Sequence, residues 1–253
     1  MAKAKKKTAP KKRATVRKVP RPFITTVLFD LDDTLYDCFN QRVRGAHRHA
    51  AEAMVAAGVP GTVDEVLELR MKAFERDPQL AHIDGSVCAH YGLTETTEIV
   101  RRSRAAYFSF PVGKLTLFPG VSKLLHTLHR RGVRIFVVSF GDPATQHAKV
   151  RSLGLDREPA IEKIFFADVG KTITKEGIFH SVLRNVEPDA KKVLVVGDRP
   201  SSEIKAGKSL GMHTVRIKGG EFGHLPPRGP EEIADREIAR VTDLPKLPFR
   251  FGR

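Results

Sequence analysis

The chain has little cysteine, no tryptophan and no long apolar run. Its two cysteines, Cys38 and Cys88, are far apart in 253 residues. Two isolated thiols build neither a disulfide framework nor a cysteine metal site, so a reducing cytoplasm is the expected compartment. Aromatic residues make up 7% and tryptophan is absent. No apolar stretch is long enough to span a bilayer, so no membrane partner is expected. The charged N-terminus is followed by no apolar segment of the kind a secretory signal needs.

Residues 1–21 lack acid altogether. They hold ten Lys and Arg, two-thirds of a formal charge of +15, leaving +5 for the other 232 residues. With almost nothing to bury, this segment reads as a disordered basic tail. One reading is an arm that touches nucleic acid or another polyanion; the other is a solubilising extension. No aromatic residue is present in it for base stacking.

The remainder is that of a globular protein, 41% hydrophobic and 29% charged. Phe23–Phe29 is a short β-branched and aromatic run that ends at Asp30, the pattern of a buried parallel strand. Similar runs are 133–139, 163–167, 192–197 and 213–217, with a final short one at 238–241. Helical stretches alternate with them: 121–131, 143–153, 175–186 and 201–210. Gly132, Gly154 and Gly211 stand where helix C-caps belong. This alternation predicts an α/β fold, a Rossmann-like doubly wound parallel sheet. Residues 37–115 break the rhythm. Four helices are predicted there, at 40–57, 63–74, 80–91 and 95–108, with no strand. The expected organisation is therefore a basic tail over 1–21, a core from 22–36 and 116–248, and an inserted α-helical cap over 37–115.

In such sheets ligands bind beyond the carboxyl ends of the strands. Asp30, Asp32, Asp33 and Thr34 follow the first predicted strand. Ser139, Gly141 and Asp142 follow the second; Asp168, Lys171 and Lys175 the third; Asp198, Ser201, Ser202 and Glu203 the fourth. Carboxylates, a hydroxyl and a lysine thus gather at one edge.

Phe29-Asp30-Leu31-Asp32-Asp33-Thr34-Leu35 resembles the first motif of the haloacid dehalogenase superfamily, and Val195-Val196-Gly197-Asp198 its fourth. Leu117-Phe118-Pro119-Gly120 resembles the segment that re-enters the core after a helical cap. The similarity runs from about Ile24 to Leu244, with phosphoglycolate phosphatase-like and glyceraldehyde-3-phosphate phosphatase-like members as the nearest branch. It implies a phosphatase that uses Mg²⁺, a small phosphorylated substrate and an aspartyl-phosphate. Asp30 would be the nucleophile and Asp32 the general acid and base. Asp30, Asp198 and the backbone carbonyl of Asp32 would hold Mg²⁺, with Glu203 reaching it through water. Ser139 would hold phosphoryl oxygens. Dehalogenating relatives generally lack an acid at position 32, so its presence favours phosphoryl transfer.

Three positions depart from the family pattern. Glu203 replaces a shorter Asp. Ser139-Phe140-Gly141 replaces a more polar turn, leaving Phe140 to line the substrate space. The usual lysine motif is absent; Lys175 is preferred because Thr174 looks like an N-cap, and Lys171 is the alternative. Asp33, Asp142 and Asp168 read as caps or turn residues, and His47 and His49 as solvated. Arg101-Arg102-Ser103-Arg104 reads as a wet helix face or a contact for an anionic substrate. The rival functions are a phosphomutase, which returns the phosphoryl group to its substrate, and a nucleic-acid-associated protein working through the tail. An inactive binding module is disfavoured by the intact Asp30, Asp32 and Asp198.

Overall fold

The computed structural model describes residues 21–77, 80–94, 96–168 and 173–252. All but the last residue of the expected tail lies outside them, as does Lys171. The first apolar run divides into β1 (Phe23–Ile24) and β2 (Thr26–Phe29), with a bend at Thr25. Then come α1 (Arg44–Ala56), α2 (Val63–Arg76), α3 (Leu80–His90) and α4 (Thr97–Ser109), with no strand among them. The alternation resumes with α5 (Val121–Arg130), β3 (Arg134–Phe140), α6 (Pro143–Ser152), β4 (Lys163–Ala167), α7 (Lys175–Asn185), β5 (Val193–Gly197), α8 (Lys205–Ser209) and β6 (His213–Ile217). Two short strands follow, β7 (Arg236–Ile238) and β8 (Arg250–Phe251).

Six strands form one parallel sheet in the order β4-β3-β2-β5-β6-β7. The first of these six in sequence, β2, lies inside it, with β3 on one side and β5 on the other. The chain therefore reverses its direction of travel across the sheet at β2, and the end of β2 is the switch point where such folds bind ligands. Residue alternation sorts the core onto two faces. Val27, Phe29, Ile135, Val137, Leu194 and Val196 pack with Leu124, Leu125 and Leu128 of α5. Leu28, Phe136, Val138, Val193 and Val195 pack with Ile178, Phe179 and Val182 of α7. The helical insert has its own cluster, including Met54, Val66, Val87 and Ile99.

The ends of the chain differ from expectation in two ways. The last strand of the large sheet is Arg236–Ile238, two residues earlier than predicted, and Val241–Lys246 coils into 3₁₀ turns instead. Beyond residue 248, Arg250–Phe251 pairs in parallel with Phe23–Ile24. A two-residue strand carries no periodic signal, so only its partner reveals it.

His47 corrects another expectation. It is fully buried, on the same face of α1 as Ala50, Ala51 and Met54. Its ring meets Phe74 and Tyr107 edge-on at 5.2 and 5.1 Å. Burial and the nearby Arg70 push its pKa down to about 3. His49, two residues on and so on another side of the helix, is exposed as predicted.

Candidate active site

A cavity of about 720 Å³ opens at the carboxyl end of β2, between the sheet and the helical insert. Asp30 follows β2 directly, and its backbone N–H donates to the Val196 carbonyl at 2.8 Å. The backbone of Asp30 is thereby part of the sheet ladder. Thr174 caps α7 by accepting from the Gly177 N–H at 3.0 Å. Lys175, the next residue, is buried and its Nζ contacts both Asp30 Oδ1 and Glu203 Oε1. The lysine preferred from the cap argument therefore sits between two of the site's carboxylates. Glu203 is held by this lysine, and its other oxygen is buried without a partner.

Asp198 follows β5 and is 3% exposed, with Oδ2 buried and unpartnered. Arg216 donates to its carbonyl at 3.3 Å. Asp30, Asp198 and Glu203 thus share Lys175 as their cation. Burial, with Glu203 and Asp32 adding repulsion against the pull of Lys175, pushes Asp30 up to about 7. Burial, then Asp30 and Glu203, raises Asp198 well above the carboxylate range. A cluster with more negative charge than its surroundings neutralise fits a divalent cation. Among the described residues no three His, Cys, Asp or Glu side chains form a ready-made metal cage. Mg²⁺ needs less than that, since it keeps several waters and takes few protein oxygens. The orphaned Asp198 oxygen beside Asp30 suits it.

Asp32 is held from elsewhere. Lys149 of α6 donates to both its oxygens, at 2.9 and 2.8 Å, and the Tyr36 hydroxyl donates to Oδ1 at 2.7 Å. Burial pushes the Asp32 carboxyl up, but Lys149 and Tyr36 outweigh it, and the net shift is downward. The two carboxylates are therefore driven apart, Asp30 upward and Asp32 downward. That is the reverse of what a nucleophile and an acid require. A divalent cation beside Asp30 would supply charge that lowers it again.

Ser139 does not reach the cavity wall. It is 1% exposed, and its hydroxyl donates to Gln146 Oε1 at 2.9 Å. Gln146 also donates to the Phe140 carbonyl at 3.0 Å. Phe140 and Gly141 line the cavity in its place, Phe140 with 44% of its surface exposed. Asp33 is a turn residue, as read: at φ 54° it accepts from the N–H groups of Phe39 and Glu221, both at 3.0 Å. It ties the start of the insert to the loop after β6. Asp142 caps α6, and Asp168 pairs with the backbone of Ile173.

Several cavity residues were not singled out from the sequence: Arg42, Tyr107, Phe108, Lys149, Arg199 and Glu221. Lys149 and Gln146 did carry a signal. They lie three apart on a helix with almost no apolar stripe, so its buried face had to be polar. Glu221 is pushed up to about 8 by burial and by Asp33 and Asp32. Arg101 and Arg102 pair with Glu98 on the exposed side of α4, whereas Arg104, one turn of the backbone away, lines the cavity. Among the described residues no helix is long and apolar enough to cross a membrane.

The model of the haloacid dehalogenase-like hydrolase family matches residues 24–211. A glyceraldehyde 3-phosphate phosphatase of Pyrococcus abyssi is 31% identical over 229 residues, covering 88% of this chain and 93% of its own. A predicted phosphoglycolate phosphatase of Haemophilus somnus superimposes with a TM-score of 0.67 at 17% identity, over 88% of this chain and 97% of that one. The HAD-hydrolase YfnB of Bacillus subtilis, solved bound to magnesium, gives 0.59 at 23% identity over the same shares of both chains. The two structures speak for the fold; the extent of the family match and the Pyrococcus relative decide membership. The chain belongs to the haloacid dehalogenase-like hydrolases.

Proposed function

We propose that the protein is a Mg²⁺-dependent phosphatase that hydrolyses a small phosphomonoester through an aspartyl-phosphate on Asp30. The observation that carries this reading is the placement of Asp30 at the switch point of the sheet, in contact with Lys175 and among acidic side chains that lack enough positive charge. The names of the curated relatives and the magnesium in YfnB support it.

In the first half-reaction an Asp30 oxygen attacks phosphorus. The ester P–O bond breaks, its electron pair stays on the leaving oxygen, and Asp32, which must first take up a proton against the pull of Lys149 and Tyr36, delivers that proton there. In the second, water attacks the aspartyl-phosphate, Asp32 takes its proton, and the Asp30 carboxylate is regenerated as phosphate leaves. Lys175 holds the Asp30 side chain in place and offsets charge at the transferring group. Lys149 and Tyr36 fix the Asp32 carboxylate, so that one orientation serves both proton transfers. Mg²⁺ held by Asp30, Asp198 and the Asp32 carbonyl would supply the charge that lets an anionic nucleophile meet an anionic substrate.

Phosphate release from glyceraldehyde 3-phosphate and 2-phosphoglycolate, with Mg²⁺ and with EDTA, tests the reading. Release should require the metal, and Asp30→Asn should lower it by roughly 10³-fold or more. Full activity in Asp30→Asn rejects the covalent route. Transfer of the phosphoryl group within the substrate, without free phosphate, makes the protein a mutase.

A further inference from the structure

Among the described residues three arginines are buried: Arg42, Arg70 and Arg216, at 7, 0 and 1% exposure. Two are matched by the protein. Arg70 pairs with Asp84 and donates to Ser103 Oγ at 2.9 Å. Arg216 donates to the carbonyls of Asp198, Phe222, Gly223 and Leu225, with Glu237 at 3.7 Å. Arg42 is different. Its Nη2 donates to the Phe110 carbonyl at 3.1 Å, and its Nε, like Arg70 Nε and Arg216 Nη1, is buried without a hydrogen-bond partner, but of the three only Arg42 forms no ion pair among the described residues. A guanidinium carries five N–H donors, and a buried charge without a counter-ion is costly.

Arg42 is also the one of the three that lines the catalytic cavity. It lies on the π-helical turn Phe39–Val43 that leads into the insert. Beside it in the wall are Arg104, which is 46% exposed and has Asp84 only at 3.9 Å, and Tyr107, whose hydroxyl makes no hydrogen bond among the described residues. The cavity is therefore bipolar. Its sheet end holds the carboxylates of the phosphoryl site, and its insert wall offers unmatched donors and positive charge.

We infer that Arg42 binds a second anionic group, a carboxylate or a phosphate, on the leaving part of the phosphomonoester, so that the enzyme prefers an acid to the corresponding aldehyde. The inference rests on the phosphatase reading for its chemistry, but on Arg42 and its surroundings for its specificity. A guanidinium matches either oxyanion with two parallel hydrogen bonds. A substrate that brings its own anion supplies the counter-ion that the fold withholds. One ending in an aldehyde or hydroxyl leaves the buried charge unpaired. The relative named for glyceraldehyde 3-phosphate acts on an aldehyde; this chain is expected to favour 3-phosphoglycerate.

The test compares kcat/KM within matched pairs: 3-phosphoglycerate against glyceraldehyde 3-phosphate, and fructose 1,6-bisphosphate against fructose 6-phosphate. The doubly anionic member of at least one pair should be favoured by about 10-fold or more, and the pair that shows it identifies carboxylate or phosphate. Arg42→Gln should bring that ratio near one, and Arg42→Lys should keep part of it. A purely structural role, through the Phe110 carbonyl, would lower Tm and leave the ratio alone. Should Arg42→Gln fail to fold, the partial ratio in Arg42→Lys decides. Calorimetric binding of phosphonoacetate against ethylphosphonate, to the Mg²⁺-containing protein, needs no turnover. Tighter binding of phosphonoacetate that Arg42→Gln abolishes supports the anion site even if no substrate is hydrolysed, in which case only the phosphatase reading falls. Hydrolysis without preference in either pair, or a preference that Arg42→Gln retains, overturns the inference and leaves the phosphatase reading standing.

Discussion

Lys149 shows how a single side chain shapes this site. It is 4% exposed and reaches from α6 across to Asp32, 117 positions earlier in the chain. Asp32 keeps about 29% of its side chain exposed, so the pair is weaker than a fully buried one. Removing one partner should still cost about 2 kcal/mol at pH 7, below the range for complete burial. The sign of its pH dependence follows from the direction of the shift. The folded-state pKa of Asp32 lies below the ordinary 3.8. The stabilisation is therefore present above that value and is lost as pH falls through the folded pKa. Urea unfolding of Lys149→Met should show a deficit at pH 7 that narrows below about pH 4. A deficit of constant size down to pH 3 would assign the loss to packing instead. Arg42, Lys149 and Lys175 are all charged residues at buried positions, and composition reports none of that. Lys175 was found through its neighbour Thr174, a local cap signal. Arg42 and Lys149 owe their burial to contacts with distant segments, which no local pattern encodes.

Among the elements, β5 and the turn after it deliver Asp198 and Glu203 together, and Gly197 makes this possible. A Cβ at that position would lie 2.7 Å from Cγ and 2.9 Å from Cβ of Glu203. These atoms are close to the backbone and cannot swing away as a side-chain tip can. Gly197→Ala should therefore displace Glu203, and with it Lys175 and Asp30. Kinetics should show kcat reduced about 10- to 100-fold while the melting temperature falls by only a few degrees. A large loss of Tm with normal kcat in the folded fraction would contradict this coupling. Most elements were legible. Apolar runs of five to seven residues marked the strands, and Gly132, Gly154 and Gly211 do end their helices at φ 77, 70 and 73°. The strand pair Phe23–Ile24 with Arg250–Phe251 was not legible, because two residues have no period. The helix over 201–210 was predicted as one piece, yet it opens with a π-helical turn, Pro200–Ile204, before α8. That wider turn seats Glu203 against Lys175, a tertiary contact acting on local geometry.

For the whole molecule, the acidic cluster should make stability depend on pH and, if it holds the proposed Mg²⁺, on metal as well. Asp30 is raised from 3.8 to about 7 in the folded chain. A carboxyl raised in this way favours the fold when protonated. Its contribution is present below about pH 4 and is lost as pH rises toward 7. The metal-free protein should therefore lose stability across that interval. Mg²⁺ bound at the ionised cluster, as proposed, should recover stability most strongly at neutral pH and above. At a hundred times its Kd the gain is about 2.7 kcal/mol, or several degrees in Tm for a chain of this size. Thermal melts with Mg²⁺ and EDTA, from pH 5 to 8, measure this. Asp198→Asn should abolish the metal-dependent shift; an unchanged shift in that variant places the cation elsewhere.

Taken alone, the sequence determined the α/β class, the helical insert and the acidic residues at the strand ends. These depend on periodicity, caps and short motifs, all local properties of the chain. It also limited the chemistry, since Asp30, Asp32 and Asp198 stand at the ends of strands. Only the tertiary structure decided that Ser139 turns to Gln146, that Lys149 holds Asp32, that His47 is buried and that Arg42 faces the cavity without a counter-ion among the described residues. Each of these depends on which distant groups share a low-dielectric space. Burial and pairing there set the cost of a charge, and neither can be read from the order of residues along the chain.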